Sequence, residues 1–187
     1  GYMQYEPSYR YPGADEDHLY ESSYRHMHHS PTTCKICPKY KTKDDDICDA
    51  ARHLACSNLN CDHSKLVRRE RVEDAWNMVP WAPKPAIHLG VIATGNTVMK
   101  SGEHRDEIAA REKVIAFEME AAGVWEEIDC VIIKGVCDYA DSHKNDKWQA
   151  HAAATAAACT KALLEVWTPS NDVSQSMPQP SKLFEFI

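Results

Sequence analysis

The sequence predicts an α/β fold, and three observations carry that prediction. Apolar runs of strand length recur in the second half of the chain, helix-forming stretches separate them, and each run stops at glycine or acidic residues. The first run starts at Ala86 and continues Ile-His-Leu-Gly-Val-Ile-Ala-Thr94, with Gly95-Asn96 as its turn. A charged stretch from Ser101 to Lys113 is expected to hold a short helix around Arg105 to Arg111. The second strand covers Val114 to Phe117, and a helix follows from about Glu120 to Glu127. Cys130 to Val136 reads as the third strand. Trp148 to Trp167 is alanine-rich and strongly favours a long helix. Strand–helix–strand order implies a parallel sheet with helices packed on it. Three strands are few for an independent domain, so the fold reads as incomplete at its amino end.

Composition divides the 187 residues into three parts. Residues 1–85 form a polar, loop-rich segment, 86–167 the apolar and regular core, and 168–187 a Ser-, Asn-, Pro- and Gln-containing tail expected to be disordered. The last residues, Leu183-Phe-Glu-Phe-Ile187, form an apolar patch able to dock. A hydrophobic content of 43% suffices for a core, and a formal charge of -7 argues against nucleic acid or an anionic membrane as partner. No apolar run approaches the ~20 residues that span a bilayer. The amino end carries no basic-then-apolar signal, and it begins with Gly1 rather than Met, as a piece of a longer product would. A reducing, cytoplasmic setting is the expectation, and Cys130, Cys137 and Cys159 in apolar segments read as small buried hydrophobes.

Two of the apolar runs end in acids. Val114-Ile-Ala-Phe-Glu-Met-Glu-Ala-Ala-Gly123 places Glu118 and Glu120 on either side of Met119, and Cys130-Val-Ile-Ile-Lys-Gly-Val-Cys137 leads into Asp138-Tyr-Ala-Asp141. Acids at the carboxyl ends of parallel strands face the crevice where such sheets bind ligands. As simple structure, the same residues would be turn caps or would favour a helix start.

The runs Phe117-Glu-Met-Glu-Ala-Ala-Gly123 and Gly135-Val-Cys-Asp-Tyr-Ala-Asp141 resemble the carboxyl half of the nucleoside phosphorylase and nucleosidase superfamily. Cys137-Asp-Tyr-Ala-Asp-Ser-His-Lys-Asn145 and Ile92-Ala-Thr-Gly-Asn-Thr-Val-Met-Lys100 are similar to its fungal branch, whose domains stand beside NACHT or ankyrin repeats. The resemblance implies a three-layer sandwich with a central mixed sheet flanked by helices. It also implies cleavage of the N-glycosidic bond of a purine nucleoside or nucleotide, by phosphorolysis with phosphate as co-substrate or by hydrolysis. Asp138 would be the catalytic acid that protonates the leaving base, held protonated by burial or by Asp141. Glu120 would bind the ribose hydroxyls with Met119 against the sugar and Glu118 beside them. Phe117, Thr94, Gly95, Asn96 and Val98 would border the base, Val98 standing where bacterial relatives place a stacking aromatic. The glycine-rich phosphate loop of the family has no counterpart, which leaves a second reading open: a nucleoside-sensing or interaction module of a larger receptor-like protein, without turnover. Relatives usually assemble, which implies a homo-oligomer.

Cys34-Lys-Ile-Cys37, then Cys48, Cys56, Cys61 and His63, has the ingredients of a zinc site, with Cys34, Cys37, Cys56 and Cys61 as the candidates. Relatives carry a shorter cysteine segment, marking 38–60 as an insertion, and ordinary thiols are the competing reading. His26, His28 and His29 read as an exposed polar stretch, with metal binding as the alternative. Lys100 and Lys144 read as surface charges, with anion contact as the alternative. No dinucleotide fingerprint, phosphate loop or nucleophilic serine elbow occurs, so no organic cofactor is expected.

Overall fold

The computed structural model describes residues 9–30, 32, 34–45, 47–70, 72, 84–125, 127–128, 130–167 and 184–186. The sheet is parallel throughout, in the order β2-β1-β3, with β1 Val91–Gly95, β2 Val114–Glu118 and β3 Phe184–Phe186. Thr94 of β1 pairs with Glu118 of β2, so both strands end at one edge. The docking segment at the chain's end thus supplies a strand, with Phe184 opposite Ala93.

Helices numbered in chain order are α1 Asp49–His53, α2 Cys56–Leu59, α3 Gly102–Glu112, α4 Ala122–Trp125 and α5 Gln149–Val166. Helix α3 starts where the hydroxyl of Ser101 accepts the amide N–H of His104, and it stops at Lys113 in the left-handed region. Glu103 in its first turn and Arg111 in its last complement the helix dipole. A Cβ on Gly102 would stand 2.8 Å from the backbone of Ser22, so glycine lets this helix start abut the amino-terminal region.

Cys130–Val136 is not a strand. The segment is irregular, with Val131 and Val136 exposed. Apolar composition alone does not make a strand; an edge to pair with is also needed. Instead the segment leans on α5, where a Cβ on Gly135 would fall 2.1 Å from the carbonyl oxygen of Ala152. Cys130, Cys137 and Cys159 are only half-buried, a further departure from the expectation.

The densest packing lies in the polar amino-terminal part. Tyr20, Cys37, Ile47, Cys48, Ala51, Leu59 and Cys61 form a buried cluster, with Tyr24, Met27, Tyr40 and Leu66 around it. The sheet region, by contrast, leaves Leu89 95% exposed and Ile87 74% exposed. Hydrogen bonds tie the two regions: Tyr139 donates to Asp17 Oδ1 (2.6 Å), Arg69 pairs with Asp17 (2.7 Å), and Arg105 donates to the Tyr139 carbonyl (2.7 Å).

Candidate functional site

At the edge shared by β1 and β2, the two glutamates differ. Glu118 is buried, and its Oε2 accepts the N–H groups of Glu120 (2.8 Å) and Ala121 (2.9 Å). Its Oε1 is buried with no hydrogen-bond partner. Beside it the fully buried Thr94 accepts the Ala122 N–H (3.3 Å). Glu120 points to solvent and pairs with Lys134 (2.7 Å), which holds its carboxyl below the ordinary range. Met119, Asn96 and Val98 are exposed, Phe117 is half-buried and Gly95 is buried. The structure therefore brings Thr94, Gly95, Phe117 and Glu118 together on adjacent strand ends.

Asp138 lies in the loop after the irregular segment. Its carboxylate accepts the Ala140 N–H (2.8 Å) and pairs with Lys144 (3.1 Å). Lys144 is thus an ion-pair partner rather than a solvated charge. Ala140 sits at φ 52°, a left-handed conformation that an L-residue with a Cβ adopts only at a cost of about 1–2 kcal/mol. The buried member of this loop is Asp141, whose pKa is raised chiefly by burial, against the N–H that His143 donates to it (2.8 Å).

The same loop meets the cysteine-rich region. His143 is buried, stacked on Tyr20 at 4.0 Å between ring centroids and edge-on to His26 at 5.4 Å. Neither of its ring nitrogens has a hydrogen-bond partner; Asp141 Oδ1 is 3.9 Å from Nδ1. Burial, with His26 and His29 nearby, pulls its pKa down to about 3. Ser142 accepts the backbone N–H of His26 (3.0 Å).

His26 and His28 were expected to be exposed. They instead face two separate sulfur clusters from either side of Met27. In the first, His28 Nδ1 lies 3.4 Å from Cys48 Sγ and 3.8 Å from Cys37 Sγ, with Cys34 completing the group. Cys34 Sγ accepts the N–H groups of Ile36 (3.3 Å) and Cys37 (3.4 Å), bonds that bring its pKa down to about 7. Cys48 caps α1 by accepting the Ala51 N–H (3.4 Å). In the second, His26 Nδ1 lies 3.5 Å from Cys56 Sγ and 3.6 Å from Cys61 Sγ. The left-handed Asn60 ends α2 and folds Cys61 back onto Cys56, its N–H donating to the Cys56 carbonyl (3.0 Å). The hydrogen bond from Cys61 and the neighbouring His26, against burial, lower the Cys56 pKa to about 5.

These distances match what a metal asks of its ligands. Tetrahedral zinc, with bonds of about 2.3 Å to sulfur and about 2.0 Å to nitrogen, spaces its donor atoms about 3.5–3.8 Å apart. His26 also donates from Nε2 to the Leu54 carbonyl (2.8 Å), which leaves the Nδ1 lone pair facing the sulfurs. The first cluster brings four donors within metal-ligand reach of one another and the second brings three. Cys34, Cys37, Cys56 and Cys61 all take part, but they divide between the two groups. His63 stands outside them, exposed in a short 3-10 turn. For His26 and His28 the sequence reading put the exposed stretch first and metal binding second. Their signal was the pair His26 and His28 upstream of a Cys-x-x-Cys, together with the four-residue gap between Cys56 and Cys61, which falls inside the usual ligand spacing.

The chain is 49% identical over 132 residues to a nucleotide-binding leucine-rich repeat (NLR)-like protein of Hyaloscypha variabilis (strain UAMH 11265 / GT02V1 / F). It is similar to part of a fungal NLR-like protein. The match covers 70% of this chain and 12% of the relative, so the chain spans a small fraction of the relative's length. No family model matches, and neither does any solved structure. Among the described residues no helix is long and apolar enough to cross a membrane.

Proposed function

We propose that the chain is an interaction module of a larger receptor-like protein, one that senses a nucleoside or nucleotide without efficient turnover. One observation carries this reading: the side chains expected to do chemistry are already engaged, Asp138 with Lys144 and Glu120 with Lys134. The exposed Ile87 and Leu89 ahead of β1, and Leu164 and Val166 on α5, suit a module that packs against further protein. The likeness to a nucleotide-binding leucine-rich repeat (NLR)-like protein supports the same placement. The three-layer nucleoside phosphorylase sandwich is our proposal for the complete domain. Eight cysteines with no disulfide among them suit a cytoplasmic, reducing setting.

Calorimetry with adenosine, inosine and ATP, run beside chromatographic assay of released base with and without phosphate, tests this. Saturable binding without release is expected; turnover at a steady rate removes the proposal.

A second reading, cleavage of the N-glycosidic bond, is favoured by the unpartnered Oε1 of Glu118 next to Thr94. It requires base release that falls ~10²-fold or more in Asp138→Asn. Glu118, the buried acid, would then take the ribose-binding place first expected of Glu120. For the cysteine–histidine clusters the ion we propose is zinc, because thiolate and imidazole donors at this spacing suit it and hard cations take oxygen.

A further inference from the structure

We propose that the chain holds two metal ions, and that the second, bound by His26, Cys56 and Cys61, is closed by His143, so that it fastens the Asp138–Asp141 loop to the amino-terminal region. The inference rests on the zinc reading above and goes beyond it in number, ligands and consequence. The first site is complete as it stands, with one imidazole and three sulfurs. The second offers three donors among the described residues, and a tetrahedral ion needs a fourth.

His143 stands just outside the group of donors that lie within 4.8 Å of one another, and a shift of its ring toward them would supply the fourth. A buried imidazole with neither nitrogen satisfied is costly, and a metal bond removes that cost. Two imidazoles on one tetrahedral ion hold their ring centres about 5 Å apart, and the rings of His26 and His143 are 5.4 Å apart. Tyr20 stacks on His143, and Ser142 accepts the His26 N–H, so the ring is held against the site from two directions. Asp141 and Asp138 lie two and five positions before His143. An ion bound there fixes the position of the loop that carries them.

The full chain, purified in reducing buffer with zinc, is assayed by elemental mass spectrometry, and the expected content is two zinc ions per chain. Replacing Cys34 and Cys37 together by serine leaves one, as does replacing Cys56 and Cys61. In the Cys34→Ser, Cys37→Ser background, His143→Ala weakens retention of the remaining zinc against a chelator ~10-fold or more. His143→Cys, which supplies another donor, restores retention, whereas His143→Phe, which keeps the stack on Tyr20, does not. Should these variants fail to fold, X-ray absorption of the wild-type zinc protein decides. Three imidazoles and five sulfurs over two ions support the proposal, and two imidazoles overturn it. Protein without zinc removes the zinc reading as well. One zinc ion overturns the two-site proposal, unchanged retention in His143→Ala overturns closure by His143, and either outcome leaves zinc standing.

Discussion

The amino-terminal region and the sheet region reverse what their compositions suggest. The polar region buries Tyr20, Cys37 and Ala51 almost completely, though Ile36 and Leu54 stay exposed, while the apolar strand region leaves Ile115, Val131 and Val136 more than half exposed. Burial depends on having something to pack against. In the amino-terminal region two clusters of cysteine and histidine lie where distant loops meet around a small core. The sheet has edges and faces with no covering among the described residues. A region rich in histidine and cysteine can therefore fold tightly where a region rich in valine does not, provided its donors converge.

The largest way to break this contrast is to withhold or remove the proposed zinc. Structural zinc contributes about 10–16 kcal/mol of apparent binding energy in small domains. Chelation, or Cys48→Ser in the buried first site, is expected to unfold residues 20–66 while β1, β2 and α3 persist. Near-ultraviolet circular dichroism, dominated there by tyrosine, reads the loss. Next in size is Tyr20→Ala, which empties a fully buried position beside His143 and should cost about 3–5 kcal/mol in chemical denaturation.

In the sheet region the sharpest test is Gly135→Ala. The added methyl meets the Ala152 carbonyl rather than a movable side chain, so a loss of about 1–3 kcal/mol and a shift of α5 are expected. A neutral effect in a melting experiment would show that α5 does not pack there. Asp141→Asn gives a smaller, pH-dependent effect. Burial raises the Asp141 pKa, so stability is lost as pH climbs from the unfolded value through the folded one. The asparagine variant avoids that loss: it should match wild type in acid and exceed it at neutral pH. Glu120→Gln is the smallest change, within about 1 kcal/mol, because its ion pair with Lys134 is largely exposed.

Much of the sheet was legible in the sequence because local signals agree there. Val114–Glu118 opens on two β-branched residues and includes an aromatic one, Ser101 marks the start of α3, and the alanines of α5 favour a helix in any context. Cys130–Val136 misled because its composition suits a strand while its place against α5 gives it no edge. The acid pair was legible as a feature but not in its division of labour. Which glutamate is buried depends on strand register, since Glu118 and Glu120 flank one residue and only Glu118 sits opposite Thr94. The double cluster was half legible. Cysteines announce themselves by spacing, but His143 reaches its place through a long excursion of chain that no local pattern encodes.

Hydrogen exchange of the full chain, with zinc and after its removal, tests the central claim most directly. The account predicts that zinc slows exchange across residues 20–66 and in the loop 137–143 together, leaving β1 and β2 nearly unchanged. Protection gained in residues 20–66 alone, or none in either segment, contradicts it.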